Sequence, residues 1–356
     1  MHAVSIDPRG EPHWGPLPDP VPGPGELLLN LRWSGLCGTD LYKLATASVE
    51  PGTVLGHEIV GDVAAIGAGV ETFDLGDRVA VPHHAACGEC FDCRTGAETQ
   101  CAAFRENLLF PGGFATRILV RARALATTVR RIPADLEDLD ALFLEPAACV
   151  LRSLAKSPIP LPAPGTAAIV EAERQPPRVA VILGGGSMGL LHLLVLRALA
   201  APVRILVVDL RADRRALALE LGADAATEAG TAMLESTRGL AADGRGADAV
   251  FDCVGGSALT AAALAALRPG GTAVLFAHGR AGEAAGFALN DLFKYEKRLV
   301  GAYSGGLREQ ATIWELLRSG RLRPARLVSH RLPLADFSTG LALARQQQAL
   351  KVAFHP

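Results

Sequence analysis

The spacing of apolar positions changes along the chain and divides it into segments of different texture. Between residue 26 and about residue 148, short apolar runs are separated by glycine, at 27–30, 59–66, 78–81 and 115–120. Short runs with frequent turns predict a β-rich, barrel-like domain. The first 25 residues contain seven prolines, and an irregular surface segment is expected there.

A different spacing begins near residue 178 and continues to about residue 279. Apolar strands alternate there with alanine- and leucine-rich helical patterns, the strands lying at 178–183, 203–208, 249–253 and 272–276. This alternation is typical of βαβ units, which build a parallel sheet covered by helices on both faces. Beyond residue 290 the pattern is mixed again, with helical patterns at 310–319 and 337–347.

These changes predict two domains, a number that suits a chain of 356 residues. The β-rich domain is placed at 1–152, the α/β domain at 153–290, and a return to the first domain at 291–356. A proline-rich segment at 157–177 lies near the first boundary, and its role is left open.

Charge and hydropathy exclude several kinds of partner. The formal net charge is −2 and the chain has no basic tract, so nothing electrostatic favours nucleic acid. The longest apolar run, 188–202, is interrupted by His192 and Arg197, and no membrane span is expected. The first residues lack the basic and apolar regions of a signal peptide, so a cytoplasmic protein is expected.

Four of the seven cysteines form the tightest motif in the chain. Cys87, Cys90, Cys93 and Cys101 have the spacing C-x2-C-x2-C-x7-C. Such gaps bring successive thiolates to one side of a loop, and four thiolates leave no open coordination position, so a structural zinc ion is predicted. Disulfides are the alternative, but they suit small secreted chains, and cysteines at two-residue gaps pair poorly with one another.

A glycine motif directly follows the apolar run at 178–183. Gly184, Gly186 and Gly189 satisfy G-x-G-x-x-G and open an apolar helix. The first glycine permits the tight turn, the second lets the backbone approach a pyrophosphate, and the third allows close helix–strand packing. With Ser187 and Met188 at the helix N-terminus, whose free N–H groups favour phosphate, they are the candidate dinucleotide-binding residues.

Asp209 ends the next predicted strand, about 20 residues further on. A carboxylate there accepts hydrogen bonds from ribose hydroxyls and repels a 2′-phosphate, which favours NAD over NADP. Arg211, Arg214 and Arg215 follow closely and either hold such a phosphate or form a solvated helix start. The solvated helix start is preferred, and Arg214 is kept among the candidate cofactor-binding residues.

Three separate motifs point to a second metal site. Cys37 lies in Gly-Leu-Cys-Gly-Thr-Asp, His57 and Glu58 lie in Gly-His-Glu-x-x-Gly, and Glu145 lies in Leu-Glu-Pro. Together with the Gly-Asp-Arg-Val run at 76–79, the cysteine lobe and the nucleotide fold, these motifs resemble the zinc-containing medium-chain dehydrogenases over nearly the whole chain. The resemblance is greatest to the polyol (sorbitol-like) and threonine dehydrogenase branches.

The resemblance implies a GroES-like catalytic domain, with its zinc lobe at 84–104, and a Rossmann domain with a doubly wound parallel sheet. It also implies two zinc ions per chain, a catalytic one held by Cys37, His57 and a carboxylate, and NAD held against it in the cleft between the domains. Glu58 and Glu145 compete as the third ligand. Both at once would leave the site net negative, so one is expected at the ion and the other nearby.

The resemblance also assigns roles around the substrate. Thr39 matches the hydroxyl that begins the family's proton relay, whereas Tyr42 stands where many relatives carry a histidine at its outer end. His83 and His84 occupy the strip that lines the substrate pocket in relatives, and His84 matches a histidine of threonine dehydrogenases. Because adjacent residues of an extended segment point to opposite faces, only one of the two is expected to reach the pocket.

The leading hypothesis is a zinc- and NAD-dependent secondary-alcohol dehydrogenase of the EC 1.1.1 type. Polar groups near the metal, namely Glu58, Glu145 and His84, favour a polyol, cyclitol or sugar-like substrate. A threonine-type dehydrogenase is the alternative, but it needs a carboxylate-binding cation that the sequence does not place. The metal motifs disfavour a quinone-reductase-like or non-catalytic nucleotide-binding protein. The resemblance further implies a homodimer or homotetramer formed through residues 274–302.

Overall fold

A computed structural model describes residues 1–46, 48–162 and 177–356. They form two units, Met1–Pro146 with Gly306–Pro356, and Ala147–Gly305. The sequence placed the boundaries after residues 152 and 290. The first instead falls within the first turn of a helix, and the second follows a strand that pairs in the sheet of the second unit. Most of the proline-rich segment 157–177 lies outside the described residues.

The described part of the chain contains strands that are numbered here in chain order. They are β1 His2–Ile6, β2 Pro12–Pro16, β3 Leu27–Gly35, β4 Glu58–Ile66, β5 Arg78–Pro82, β6 Leu109–Phe110, β7 Arg117–Val120, β8 Arg130–Arg131, β9 Arg178–Leu183, β10 Val203–Val208, β11 Ala225–Thr227, β12 Ala247–Asp252, β13 Leu267–Leu275, β14 Arg298–Gly301, β15 Val328–Pro333 and β16 Lys351–His355.

The α-helices are numbered in the same way. They are α1 Gly38–Ala45, α2 Phe91–Arg94, α3 Ala122–Thr127, α4 Asp138–Ala141, α5 Leu144–Ala155, α6 Ser187–Ala198, α7 Ala212–Glu220, α8 Thr231–Leu240, α9 Ser257–Ala266, α10 Leu289–Tyr295, α11 Leu307–Arg318 and α12 Phe337–Arg345.

The second unit is built on a six-stranded parallel sheet with the order β11-β10-β9-β12-β13-β14. The strand order reverses between β9 and β12, which is the topology of a doubly wound sheet. Nearly every residue of β9 and β12 is buried, as expected when both faces of a sheet are covered. The predicted Rossmann domain is thereby confirmed.

The first unit is β-rich, as predicted. Its larger sheet has the order β15-β16-β3-β4-β5-β8, with β7 pairing β3 and β6 pairing β7. Three antiparallel pairings assemble one corner of this sheet: Gly35 lies opposite both Glu58 and Ala353, and Glu58 lies opposite Pro82. Segments far apart in the sequence therefore meet at the start of β4.

The irregular N-terminal segment expected from the prolines is wrong for residues 2–6 and 12–16. These two segments form an antiparallel pair of strands, with His2 opposite Pro16 and Ile6 opposite Pro12. Both prolines of β2 stand at its ends, and β2 has β1 as its only strand partner among the described residues. Proline is tolerated at strand ends and on edge strands because the missing N–H is not needed by a second neighbour.

No helix in the described ranges combines the length and the apolar character needed to cross a bilayer.

Candidate metal and nucleotide sites

The four lobe cysteines converge on one point. The Sγ atoms of Cys90 and Cys93 are 3.6 Å apart, those of Cys87 and Cys101 3.6 Å, and those of Cys87 and Cys93 3.9 Å. A tetrahedral zinc ion with Zn–S distances of about 2.3 Å requires sulfurs about 3.8 Å apart, whereas bonded disulfide sulfurs lie about 2 Å apart. The lobe therefore fits a closed four-thiolate zinc site, as predicted.

Other contacts hold the lobe against the rest of the first unit. The carboxylate of Glu98 accepts the backbone N–H of Leu307 at 3.1 Å, at the N-terminus of α11. The guanidinium of Arg123 donates to the carbonyl of Ala103 at 2.8 Å and to Glu106 at 2.9 Å. These bonds hold the C-terminal part of the lobe.

A second cluster brings Cys37, His57 and Glu58 together. One ligating atom from each lies within 4.8 Å of the others. Cys37 directly precedes α1, while His57 and Glu58 stand at the start of β4, and the pairing of β3 with β4 closes the gap between them. A thiolate, an imidazole and a carboxylate are the donors that zinc prefers, so the residues present fit this ion. Glu145, in the first turn of α5, is not a member of the cluster.

Asp40 supports this cluster from behind, and sequence reasoning missed it. Its buried carboxylate accepts the N–H of Cys37 at 3.0 Å and that of Gly56 at 3.3 Å, and Oδ1 lies 3.4 Å from Nδ1 of His57. Contact through Nδ1 leaves Nε2 of His57 available to a metal, an arrangement common among zinc-binding histidines. The signal was an acid three residues after Cys37, at the first turn of α1.

The charges around His57 favour a cation. Burial by itself lowers the pKa of His57, but the carboxylate of Asp40 and the thiolate of Cys37 raise it well above its ordinary value. Burial alone would raise the pKa of Asp40, yet His57 and two backbone N–H groups hold it below its ordinary value. The same negative surroundings that stabilise a proton on the imidazole would stabilise a metal ion there.

Lys351 is a second residue that sequence reasoning missed. Its ammonium forms a buried ion pair with the carboxylate of Glu58, and neither side chain is more than 3% exposed. Burial disfavours the charged ammonium, but Glu58, Cys37 and Asp40 together raise the pKa of Lys351. Lys351 begins β16, some 290 residues from Glu58, and an isolated lysine near the end of the sequence carries no motif that could have revealed this pairing.

Gly35 makes room for this pair. A Cβ at this position would overlap the carboxylate of Glu58 and lie 3.1 Å from Cε of Lys351. The residue opposite Glu58 in β3 therefore needs to lack a side chain, for a steric reason independent of backbone conformation.

His83 and His84 do not point to opposite faces, contrary to the sequence-based expectation. Their ring centroids are 3.6 Å apart, and the ring of His83 also lies 4.6 Å from that of His57. The alternation rule does not apply because β5 ends at Pro82 and the chain bends at His83. The rings of His57, His83 and His84 thus form a row, and the ring centroid of His84 lies 4.9 Å from that of Phe104 in the cysteine lobe.

Burial keeps both of these imidazoles neutral. It lowers the pKa of His84 to about 4. Burial, reinforced by the neighbouring His57 and His84, holds the pKa of His83 well below its ordinary value.

The glycine motif forms a tight turn between β9 and α6, as predicted. Gly184 has φ +98°, and a Cβ at Gly189 would overlap the carbonyl oxygen of Gly184. The Oγ of Ser187, at the first position of α6, is buried without a hydrogen-bond partner among the described residues. An unsatisfied hydroxyl at a helix N-terminus beside a glycine turn suits a phosphate oxygen.

Asp209 lies against this turn. Its Oδ2 accepts the N–H of Gly185 at 2.7 Å, and its Oδ1 accepts the N–H of Arg211 at 2.8 Å. Each carboxylate oxygen can accept a further bond, so capacity for ribose hydroxyls remains. The guanidinium of Arg214 lies 3.8 Å from Oδ2 and is mostly buried.

Two family models match the chain, and together they span both units. The alcohol dehydrogenase GroES-like domain matches residues 23–131, and the zinc-binding dehydrogenase domain matches residues 187–319. A D-altritol 5-dehydrogenase from Agrobacterium fabrum is 30% identical over 339 residues, covering 94% of each chain. The chain belongs to the zinc-binding alcohol dehydrogenase family.

Other members of the family are similar over the same length. An L-threonine 3-dehydrogenase from Pyrococcus horikoshii is 27% identical and covers 94% of this chain and 92% of its own. The structure of an alcohol dehydrogenase from Thermus sp. ATN1 is 28% identical, with a TM-score of 0.82 over 100% of this chain and 99% of its own. This zinc-binding dehydrogenase is therefore an oxidoreductase that acts on an alcohol.

His192 and Cys253 have side chains that could react or bind a metal, but they lie outside these sites. His192 in α6 is fully buried, its Nδ1 lying 2.7 Å from the carbonyl of Met188 and its Nε2 3.1 Å from Oγ of Ser153. It is the packed core histidine that its apolar helix suggests. Cys253 lies 3.6 Å from the same ring, just after the end of β12, and burial raises the pKa of its thiol well above the ordinary value.

Proposed function

We propose that this dehydrogenase oxidises a secondary alcohol of a polyol, cyclitol or sugar-like substrate, with NAD as hydride acceptor and a catalytic zinc ion. The observation that carries the proposal is the cluster of the partly buried Cys37 with the buried His57 and Glu58. Among the described residues, the other group of potential metal ligands is the four-cysteine lobe, whose closed shell suits a structural ion.

Cys37 and His57 would hold the catalytic ion, with Glu58 as the carboxylate of the site. A zinc ion bound there would lower the pKa of a substrate hydroxyl, and the nicotinamide would take the hydride. Membership of the cluster supports Glu58 over Glu145, which rests on the family resemblance alone. Because Glu58 also pairs with Lys351, its carboxylate would be shared between that ammonium and the metal.

Asp40 and Thr39 complete the proposed assignment. Asp40 keeps Nδ1 of His57 occupied, which orients Nε2 towards the ion. Thr39 lies two residues after Cys37 in α1 and is half-buried. Its hydroxyl is proposed to accept the hydrogen bond of the substrate hydroxyl and so to start the departure of the proton. His84, whose Nδ1 lies 3.3 Å from the carbonyl of Glu106, is given no part in that step.

The nucleotide is proposed to bind at the turn formed by Gly184, Gly186 and Gly189. Ser187 and Met188 supply the helix N-terminus for the pyrophosphate, and Asp209 receives the ribose hydroxyls. Arg214 partly offsets the charge of Asp209, but both oxygens of that carboxylate are held by backbone N–H groups. This arrangement supports NAD over NADP.

A polyol is favoured over a simple alkanol by the polar surroundings of the cluster and by the D-altritol 5-dehydrogenase relative. Threonine-type oxidation remains the second candidate because of the similarity to L-threonine 3-dehydrogenases. That reaction needs a cation for the substrate carboxylate. Lys351, the buried cation beside the cluster, is already paired with Glu58.

A substrate panel tests the proposal. Purified enzyme is assayed for NADH formation with D-altritol, sorbitol, inositols, butane-2,3-diol and L-threonine, each with NAD and with NADP. We expect a polyol to give the highest kcat/KM, and NAD to exceed NADP by at least about tenfold. L-threonine as the best substrate would favour the second candidate, and no turnover with any alcohol in zinc-replete enzyme would refute the proposal.

The dehydrogenase is also proposed to form a homodimer or homotetramer through residues 274–302. In the described part of the chain, β14 pairs with β13 alone, and Leu289 and Phe293 of the neighbouring helix α10 are 76% and 84% exposed. An unpaired strand edge beside exposed apolar side chains is a common site of association. Sedimentation analysis should show particles of at least two chains. In the Phe293→Glu variant, the number of chains per particle should fall towards one. A monomeric wild-type enzyme at micromolar concentration would contradict this.

A further inference from the structure

His83 has a ring nitrogen with no hydrogen-bond partner. Its Nδ1 is shielded from solvent and has no hydrogen-bond partner in the described part of the chain. Buried polar groups in native proteins nearly always have a partner, and those without one often stand where a ligand or water completes the bond. The unpaired nitrogen therefore needs an explanation.

The position of His83 beside the proposed metal cluster explains the unpaired nitrogen. Its ring lies between that of His57, a proposed metal ligand, and that of His84. The pairing of β4 with β5 fixes this position, because Glu58 lies opposite Pro82 and the flanking His57 and His83 are therefore neighbours. The unpaired nitrogen belongs to a side chain that contacts the proposed catalytic cluster.

The neighbouring imidazole, that of His84, has a hydrogen-bond partner and packs against the cysteine lobe. Its Nδ1 lies 3.3 Å from the carbonyl oxygen of Glu106, and its ring packs on Phe104 of the cysteine lobe. One imidazole of the row is thus committed to the lobe, whereas the other retains free hydrogen-bonding capacity beside the metal cluster. The sequence motif singled out His84, but the contacts favour His83 as the residue that meets the substrate.

We propose that Nδ1 of His83 binds the hydroxyl group on the carbon next to the one that is oxidised, which makes His83 a specificity-determining residue for vicinal diols. The inference rests on the proposed alcohol oxidation and refines its substrate class. A neutral imidazole carries one donor and one acceptor, and a hydroxyl can satisfy either. A simple secondary alcohol would leave the nitrogen unpaired, which is the condition under which a site discriminates strongly between two substrates.

A comparison of butane-2,3-diol with butan-2-ol tests the proposal, since the two differ by the neighbouring hydroxyl alone. We expect wild-type kcat/KM to be at least about tenfold higher for the diol. His83→Phe keeps a flat ring between His57 and His84 but removes both nitrogens. It should lower kcat/KM for the diol about tenfold, chiefly through KM, and change that for butan-2-ol about twofold or less.

Two further variants separate binding from packing. His83→Asn, whose amide can reach the place of Nδ1, should restore much of the preference for the diol. His84→Phe should change kcat/KM for butane-2,3-diol and for butan-2-ol by the same factor. The dissociation constant of the diol from the enzyme–NADH complex, followed by nicotinamide fluorescence, should rise about tenfold in His83→Phe at unchanged zinc content. If His83→Phe fails to fold, His83→Leu takes its place beside His83→Asn.

Equal losses on both alcohols in the His83 variants, or a wild-type enzyme without preference for the diol, would overturn this inference and leave the proposed alcohol oxidation standing. Failure of the wild-type enzyme to oxidise either alcohol or any member of the substrate panel would overturn both.

Discussion

Asp40 and Lys351 flank the proposed catalytic cluster with opposite charges, and each acts on one proposed ligand. Asp40 contacts His57, while Lys351 contacts Glu58. Both side chains are buried, so their charges act at short range with little screening by water. We therefore expect Asp40 to affect the metal affinity of the cluster through His57, and Lys351 to affect the stability of the fold through Glu58.

Replacement of Asp40 by asparagine should weaken the hold on the metal. Asp40→Asn keeps the shape of the side chain but removes the charge that faces Nδ1 of His57, and losses of about 10- to 100-fold in metal affinity or activity are typical for such carboxylates. Zinc dissociation is followed by competition with a chromogenic chelator. Glu315→Gln, at an exposed position of α11, serves as the control, and equal zinc release from the two variants would contradict the role given to Asp40.

Replacement of Lys351 by methionine should destabilise the fold. Lys351→Met removes the ammonium that pairs with the buried carboxylate of Glu58, and removal of one partner from a buried ion pair costs about 3–5 kcal/mol. The free energy of unfolding is measured in urea. The matched control is Arg318→Met, which breaks the exposed pair with Glu315 and should cost about 0–1 kcal/mol. A loss for Lys351→Met as small as that of the control would show that Glu58 does not depend on the ammonium.

The proposed ligands could be predicted from the sequence, whereas their supports could not, for a physical reason. Cys37, His57 and Glu58 stand in short motifs whose residue types already indicate zinc chemistry. Lys351 meets Glu58 only because β3 pairs with both β4 and β16, and Asp40, although it lies close to Cys37 in the sequence, reaches His57 only through the fold.

At the scale of secondary structure, strands buried on both faces were predicted best. The predicted runs 178–183 and 203–208 coincide with β9 and β10, because such strands are continuous apolar runs bounded by turn residues. The run at 27–30 covers less than half of β3, which continues to Gly35 through the polar residues Arg32 and Ser34. Register irregularities in the pairing of β3 with β4 break the simple alternation on which the prediction relied.

Helix α6 carries a group whose protonation should destabilise the second unit. Burial lowers the pKa of His192 to about 4, from an ordinary value of 6.5. As the pH falls below 6.5, the unfolded chain binds a proton at this residue before the folded chain does, so the free energy of unfolding falls. By about pH 4, this difference in proton binding has lowered the free energy of unfolding by about 3 kcal/mol.

Urea unfolding of the wild type and of His192→Gln between pH 7 and pH 4 isolates this effect, because the other titrating groups cancel in the difference. The stability advantage of the wild type should shrink by about 3 kcal/mol over that range. Parallel pH profiles for the two proteins would mean that His192 is not buried in its neutral form.

Over the whole molecule, the proposed chemistry is divided between the two units. Both cysteine-containing clusters belong to the first unit, and the glycine turn with Asp209 belongs to the second. The D-altritol 5-dehydrogenase and L-threonine 3-dehydrogenase relatives match the chain over 94% of its length, and so across both units. Because the proposed metal and nucleotide sites lie in separate units, loss of one metal ligand should leave nucleotide binding nearly unchanged.

The most direct test of the account is the zinc content of the wild-type enzyme and of Cys37→Ala, measured by elemental mass spectrometry on zinc-replete protein. The wild type should contain about two zinc ions per chain, and the variant about one, retained by the four-thiolate lobe. The variant should also lose alcohol oxidation while keeping its affinity for NAD within about twofold. Two zinc ions in a variant that still oxidises alcohols would contradict the assignment of Cys37 to the catalytic metal.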